Sequence, residues 1–255
     1  MSDHLVTTRT GAVLEVRLNR PEKKNALTRA MYNGMADAFE TADRDPEIRA
    51  VLLTGSGDTF TSGNDIKDFQ ARAAEGTEGA GSRFLPTIST MQTPLLAAVN
   101  GAAVGVGTTM LAHCDLIVAA RSARFVMPFT RLGLVPEAGS SLLFPRLLGP
   151  QRASALLLLG EPMDAETALQ WGFVNRVVEN AALMDTARAM AQRLAELPPE
   201  AVRLTKRLIR HGTPDLAGRI AEELHLFAER LGSPEAREAF AAFMEKRAPD
   251  FSRLG

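Results

Sequence analysis

The sequence predicts an α/β protein built around buried strands. Apolar runs typical of fully buried strands occupy residues 50–54 and 95–99, and each leads directly into a glycine-rich loop. Segments with apolar residues at helical spacing alternate with these runs. No repeat with a period of about 20 to 50 residues indicates a solenoid. A chain of 255 residues is long enough to bury a sizeable core.

The N-terminal part of the chain predicts a hairpin, a helix and a strand. Residues 6–10 and 12–18 alternate around Gly11, which is typical of two strands joined by a tight turn. A polar loop at 19–25 breaks this pattern. Thr28 is placed to cap a helix that runs to Asp43. The strand at 50–54 then opens the first glycine-rich loop, residues 55–65.

The middle of the chain contains a second glycine cluster. Gly101, Gly105 and Gly107 follow the strand at 95–99, and they precede a helical stretch at 108–112, a strand at 115–119 and a helix at 138–148. Glycines let a ligand approach main-chain N–H groups, so this turn is a candidate oxyanion pocket. Residues 71–82 are small, polar and glycine-rich, and they are either a mobile flap over a site or a surface loop.

The rest of the chain is predicted to be mostly helical. Helices are expected at 151–159, at 164–171 with Asp164 as cap, at 181–197, 200–211 and 214–231, and from Ser233 onwards, with one strand at 173–178. We therefore divide the chain into a core of residues 1–195 and a helical C-terminal region of residues 196–255.

Composition narrows the class of protein. Hydrophobic residues make up 45% and charged residues 23%, and the net charge of -1 gives no reason to expect a nucleic acid or a membrane as partner. One cysteine excludes an intramolecular disulfide and suits a reducing compartment. Without a secretory pattern or an apolar run long enough to span a bilayer, a cytoplasmic protein is expected.

Several familiar site types are not supported by the residues. Met110 stands where a dinucleotide fingerprint needs its third glycine, and no P-loop lysine follows either glycine cluster. The four histidines are not at ligand spacing, so no metal is predicted, and His113 is expected to pack between helix and strand. Ser140 and Ser141 do not form a nucleophile elbow.

Glu137 is the best candidate for a base. It lies among apolar residues, which would raise its pKa towards neutrality by disfavouring the charged form. The alternative is a solvated acid that stabilises the N-terminus of the following helix.

Four segments in order resemble the enoyl-CoA hydratase/isomerase (crotonase) superfamily, and most closely its Δ3,Δ2-enoyl-CoA isomerases. They are residues 60–69 (FTSGNDIKDF), 100–115, 132–141 and 243–251. The resemblance implies a spiral of β-β-α units with a helical C-terminal trimerisation region. It also implies a homotrimer or a hexamer of two trimers, and an acyl-CoA thioester as substrate, with CoA belonging to the substrate and no separate cofactor.

The resemblance also implies a site. The amides of Asn64 and Val106 would form the oxyanion hole, and Glu137 stands where the isomerases carry their single acid. Thr109 and Phe129 occupy the positions at which hydratases carry two glutamates, which places ordinary hydration in doubt. The residues expected to bind substrate are Lys24, Ala26, Ser62, Gly63, Asn64, Asp65, Ile66, Lys67, Gly105, Val106, Phe243 and Lys246.

Some of these assignments have alternatives. Each lysine taken singly is more readily explained as a solvated surface charge, so the lysines are assigned as a group and not one by one. Asp65 is expected to orient its loop, and Phe243 and Lys246 would act from a neighbouring subunit. The expected reaction is isomerisation of a 3-enoyl-CoA to the trans-2-enoyl-CoA in fatty acid β-oxidation. The alternatives are another reaction of this superfamily, such as hydration or isomerisation of a ring-derived CoA thioester, and an inert acyl-CoA-binding module.

Overall fold

The structure is a computed structural model that describes residues 4–65, 82–210 and 215–251. Its strands are β1 (Leu5–Thr10), β2 (Val13–Leu18), β3 (Ala50–Gly55), β4 (Thr59–Thr61), β5 (Leu95–Val99), β6 (Ala102–Val104), β7 (Leu116–Ala120), β8 (Arg124–Val126), β9 (Met163–Asp164) and β10 (Arg176–Val178). Its α-helices are α1 (Arg29–Arg44), α2 (Phe84–Thr90), α3 (Val106–Thr109), α4 (Ser140–Leu148), α5 (Pro150–Leu158), α6 (Ala165–Gln170), α7 (Leu183–Glu196), α8 (Pro199–Arg210), α9 (Leu216–Leu231) and α10 (Pro234–Glu245). The predicted flap lies outside the described residues, apart from Ser82.

From β3 to β8, consecutive strands alternate between two sheets. The first sheet has the order β1-β2-β3-β5-β7-β10 and the second has the order β4-β6-β8-β9. Strands β3, β5 and β7 pair in parallel in the first sheet, and β4, β6 and β8 pair in parallel in the second. From β3 to β8, each successive pair of strands therefore adds one strand to each sheet. This arrangement confirms the predicted α/β class and the spiral of β-β-α units.

Burial on both faces explains the continuous apolar runs in the first sheet. Leu52, Leu96 and Val118 belong to a cluster with Ala187 and Ala191 of α7 on one face. Alternate residues of the same strands, such as Leu53, join the large aromatic-rich core that contains α1. Parallel strands covered on both faces carry apolar residues at every position, which is the pattern that predicted them.

Several predicted elements are confirmed at their ends. The hairpin turns at Gly11, which has a φ of 58°. The side chain of Thr28 accepts a hydrogen bond from the Met31 amide at 3.4 Å, and α1 begins at the next residue. Asp164 and Ser233 cap α6 and α10 in the same way.

Other predicted boundaries were wrong. The strand predicted at 173–178 begins only at Arg176. At Asn175 the side-chain oxygen, instead of a main-chain carbonyl of a strand, accepts the hydrogen bond of the Ile117 amide at 2.7 Å. The helix predicted from residue 138 begins at Ser140, because Ala138 and Gly139 have φ values of 62° and 69°. The helix predicted at 108–112 is the short α3 followed by a 3-10 turn, Met110–His113.

The C-terminal helices follow the core in sequence and pack on it. Helix α9 contacts α2 and α4. Across the described ranges, the helices include none that combines the length and apolar character needed to cross a bilayer.

Candidate functional site

The two glycine-rich loops meet at one edge of the second sheet. Strands β4 and β6 are parallel neighbours, with Thr61 paired to Ala103, so the loops that follow them leave at the same end. Gly63 has a φ of 89°, and a Cβ there would lie 2.9 Å from the carbonyl oxygen of Val104. A Cβ on Gly107 would collide with the side chain of Thr61. Glycine at these two positions is what allows the loops to approach each other so closely.

The amides predicted to form the oxyanion hole are available as donors. The Leu27 amide donates to the Gly63 carbonyl at 2.8 Å, and the Leu27 carbonyl accepts a hydrogen bond from the Asp65 amide at 2.9 Å. The Asn64 amide, between these two bonds, therefore points away from Leu27. Val106 is the first residue of α3, so its amide has no partner inside the helix. Neither amide donates a hydrogen bond within the residues that the structure describes.

Tyr32 anchors the first of these loops from α1. Its hydroxyl donates a 2.7 Å hydrogen bond to Oδ1 of Asn64, and the tyrosine itself is only 2% exposed. Because a buried phenol is held by the packing around it, this contact fixes the Asn64 side chain and with it the neighbouring main chain. Tyr32 was not among the residues predicted for the site.

Glu137 is buried beside α3. The residue is 6% exposed, and Oε1 accepts a 2.5 Å hydrogen bond from the Thr109 hydroxyl. Burial raises the pKa of Glu137 to about 7; the hydrogen bond from Thr109 acts in the opposite direction, and the charge of Glu223 adds to the rise. The predicted direction of the pKa shift is thus found. The alternative of a solvated acid does not fit this position.

The turn after Glu137 is held from two sides. His113 Nε2 donates to the carbonyl oxygen of Ala138 at 2.7 Å, and Glu223 accepts the amide of Gly139 at 2.5 Å. Glu223 also accepts the amide of Ser141, at 2.9 Å, in the first turn of α4. Burial lowers the pKa of His113 to about 4, so its ring is neutral near pH 7. His113 is buried, as predicted, and it contacts the segment that carries the candidate base.

Part of the predicted CoA-binding set comes together around the first loop. The carbonyl oxygen of Lys24 accepts a 2.9 Å hydrogen bond from the Ser62 amide. Arg20 donates to Oδ2 of Asp65 at 2.6 Å and to the carbonyl of Ala26 at 3.2 Å. The Arg20–Asp65 ion pair fits the expectation that Asp65 orients its loop. The sequence interpretation did not assign Arg20 to the site, because an arginine before a proline in a polar loop gives no distinctive signal.

The remaining predicted residues are not joined to this loop. Phe243 and Lys246 lie at the C-terminal end of α10, and the Phe243 side chain is 59% exposed. Across residues 4–65, 82–210 and 215–251, no hydrogen bond or ion pair links either of them to residues 62–65. Ile66 and Lys67 lie outside the described residues.

Glu223 is the most informative residue that the sequence interpretation missed. It lies three residues after Ile220 and four before Phe227, on the face of α9 that packs on the core. A Cβ on Gly139 would lie 2.5 Å from a methyl carbon of Leu216, so this face of α9 rests on the turn after Glu137. A lone acid on an apolar helical stripe was the available signal, because such a residue must be paired when buried.

Comparison with known proteins gives a consistent answer. The model of the enoyl-CoA hydratase/isomerase family matches residues 8–253. The chain is 36% identical over 250 residues to the 1,2-epoxyphenylacetyl-CoA isomerase of Escherichia coli K12, covering 94% of this chain and 95% of the relative. It is 38% identical to the carnitinyl-CoA dehydratase of Salmonella typhi, covering 98% of each.

Solved structures agree with these relatives. An enoyl-CoA hydratase/isomerase from Pseudoalteromonas atlantica superimposes with a TM-score of 0.92 at 46% identity, covering 98% of this chain and 100% of the other. With the two glycine loops and the buried acid in place, and with the family model matching almost the whole chain, this protein belongs to the enoyl-CoA hydratase/isomerase family.

Proposed function

We propose that this protein is a Δ3,Δ2-enoyl-CoA isomerase in which Glu137 is the only proton carrier. The observation that supports this most directly is the state of Glu137: a buried carboxyl group whose pKa is raised to about 7. A group that must first accept and then return a proton works best when its pKa is close to the working pH.

In the proposed reaction, proton transfer and charge stabilisation are assigned to separate groups. The Glu137 carboxylate removes a proton from C2 of a 3-enoyl-CoA, and the electrons of that C–H bond move onto the thioester oxygen through C1. The amides of Asn64 and Val106 bind the resulting oxyanion, and one such donor contributes about 2.7 to 4 kcal/mol in other enzymes. The dienolate then collapses as protonated Glu137 delivers the proton to C4, which gives the trans-2-enoyl-CoA and regenerates the carboxylate.

Among the residues that the structure describes, no second acid in contact with Glu137 or its turn is free for hydration. Thr109 and Phe129 stand where the hydratases carry glutamates, and the Thr109 hydroxyl already donates to Glu137. Glu223 is also buried, but its two oxygens accept the amides of Gly139 and Ser141. A carboxylate occupied in this way is not free to activate water.

The CoA moiety and the assembly complete the proposal. We expect the CoA portion to bind along the loops that contain Lys24, Ala26 and residues 62–65, which the ion pair of Arg20 with Asp65 holds together. Leu208 and Ile209 on α8 are 72% and 79% exposed. Such exposed apolar residues favour a subunit interface, in agreement with a homotrimer or hexamer.

A second candidate is the isomerisation of a ring-derived CoA thioester. It is favoured by the 36% identity to a 1,2-epoxyphenylacetyl-CoA isomerase. The same acid and the same amide pair would serve both reactions, since each needs proton transfer next to a thioester carbonyl. The substrate's acyl group, rather than the site, separates the two candidates.

The deciding experiment measures conversion of a medium-chain 3-enoyl-CoA from the absorbance of the conjugated thioester. We compare the parent with Glu137→Gln, which keeps the shape of the side chain, and with Glu161→Gln, which changes an exposed acid. Loss of at least 100-fold of kcat in the first variant alone, with CoA binding retained, supports the proposal.

Other outcomes point elsewhere. No conversion by the parent, together with turnover of a ring-derived thioester, would move the assignment to the second candidate. Formation of a 3-hydroxyacyl-CoA from the 2-enoyl-CoA would show hydration, and binding without any turnover would show an inert module. An unchanged kcat in Glu137→Gln would refute the single-base mechanism.

A further inference from the structure

Two ionisable side chains hold opposite edges of one peptide unit next to Glu137. The Ala138 carbonyl and the Gly139 N–H belong to the same peptide group. His113, from the 3-10 turn after α3, donates to the carbonyl, and Glu223, from α9, accepts the N–H. His113 is 2% exposed and Glu223 is 4% exposed. Neither residue has a role in the proposed proton transfer.

This peptide unit needs external support. Ala138 has a φ of 62° and Gly139 a φ of 69°, so two left-handed residues follow each other. The left-handed conformation costs a residue with a Cβ roughly 1 to 2 kcal/mol, and such a conformation persists only when the surroundings determine it. Hydrogen bonds to both edges of the intervening peptide are a direct means of determining it.

The packing of α9 supplies a second, independent constraint. A Cβ on Gly139 would lie 2.5 Å from Leu216 and 3.2 Å from Ile220, so the helix lies directly on the turn. Glu223 is one turn further along the same face and also accepts the Ser141 amide. Helix α9 therefore contacts both the start of α4 and the turn that precedes it.

We propose that His113 and Glu223 are positioning residues for Glu137: together they fix the turn that presents its carboxyl group to Thr109 and to the first turn of α3. The proposal rests on the proposed function to the extent that Glu137 is the base. It assigns to the C-terminal helix α9 a part in the active site of its own subunit. Without these two contacts, the turn would relax and the carboxyl group would lose its fixed place beside the Thr109 hydroxyl.

Within the described part of the chain, few charged groups act on the turn. Glu223 faces Glu137, and its like charge acts on that carboxyl group. Arg219 on α9 is the cation that acts on Glu223, and Arg210 and Lys206 on α8 act on His113. Helix α2 has no ionisable side chain, and the only one on α4 is Arg146 near its C-terminal end.

The test uses the full-length protein with ¹³C-labelled glutamate side chains. The Glu137 carboxyl signal is identified by its loss in Glu137→Gln and is then titrated in the parent, in Glu223→Gln and in Glu222→Gln. Glu222 is the matched control, because it neighbours Glu223 on α9 but is exposed and paired with Arg219. We expect the Glu137 midpoint to fall by about one pH unit in Glu223→Gln, since both the loss of a like charge and the entry of water favour the carboxylate.

Kinetics provides a second readout. In Glu223→Gln and in His113→Gln, kcat should fall at least tenfold while KM for the CoA thioester changes less than twofold, because neither residue lies on the CoA loops. His113→Gln carries the kinetic test if Glu223→Gln fails to fold. Unchanged midpoints and kcat values in folded variants would overturn the proposal. The NMR titration does not depend on turnover, so it remains informative even if no isomerase activity is found.

Discussion

The hydroxyl of Thr109 donates a 2.5 Å hydrogen bond to Oε1 of Glu137. Thr109 ends the short helix α3, whose first residue is Val106, so one turn of helix links the candidate base to one of the two candidate oxyanion amides. A hydroxyl at this position stabilises the carboxylate instead of competing with it for a proton. It therefore moderates the pKa that burial alone would impose.

Thr109→Val should raise the pKa of Glu137 further. The substitution keeps the shape of the side chain and removes a hydrogen bond to a charged group, which is worth about 1.5 to 3 kcal/mol. We expect the acidic limb of the kcat/KM profile to move upwards by one to two pH units, so that activity at neutral pH falls while activity at high pH is nearly retained. Measuring kcat/KM between pH 5 and 10 checks this.

The matched control for that substitution is Thr108→Val. Thr108 is also fully buried on α3, but its hydroxyl donates to the Ala103 carbonyl and accepts the Val126 amide. This variant should lose stability without any movement of the pH profile. Equal profiles for Thr109→Val and the parent would mean that the hydrogen bond has no influence on the base.

The glycine loops provide a test of the amide pair. Gly107→Ala would push a Cβ into the Thr61 side chain and force α3 away from the loop that carries Asn64. Since removal of one oxyanion donor costs about 10²- to 10³-fold in kcat, we expect a loss of at least tenfold with substrate binding largely retained. Gly11→Ala, also a glycine substitution but in the N-terminal hairpin with open space around it, should leave kcat unchanged. A Gly107→Ala enzyme with normal kcat would argue against Val106 as a donor.

The sequence predicted the sheet core and the two loops well because their signals are local. Runs such as residues 95–99 are apolar at every position, and Gly63 and Gly107 stand where the main chain needs them. The residues that hold the turn after Glu137 were missed for a physical reason. His113 and Glu223 lie 25 and 84 residues from the atoms that they bind, and the sequence carries no local signal of which atoms such a hydrogen bond joins.

Short elements were missed for a different reason. Strands β4, β6, β8 and β9 have two or three residues each, which is too few to show a period of two. Ala138 misled the prediction of α4, since alanine strongly favours helices but here adopts a left-handed conformation. Tertiary contacts from α9 override that local preference.

Glu137 should make the protein less stable at neutral pH than at acidic pH. Its folded pKa of about 7 lies above the ordinary value of 4.5, so the folded state holds the proton more tightly and stability falls as pH rises from 4.5 to 7. The expected loss is about 3 kcal/mol. Glu137→Gln lacks this pH-dependent contribution to the free energy of unfolding. Measured by urea unfolding, the free energy of unfolding of Glu137→Gln minus that of the parent should therefore increase by about 3 kcal/mol between pH 4.5 and pH 8. Glu161→Gln should show no such trend, and a constant difference for Glu137→Gln would contradict the elevated pKa.

His113 should act in the opposite direction. Its folded pKa of about 4 lies below the ordinary value of 6.5, because burial disfavours the charged ring. The unfolded chain therefore binds the proton first, and the stability that His113 contributes is complete above pH 6.5 and is lost as pH falls towards 4. Relative to His113→Gln, the parent should lose about 3 kcal/mol of unfolding free energy across that range. His225→Gln replaces a histidine whose side chain is 75% exposed, and it should follow the parent at every pH. A gap between the parent and His113→Gln that stays constant from pH 7 to 4 would mean that the folded and unfolded states have the same His113 pKa, which would contradict the lowered pKa of the buried ring.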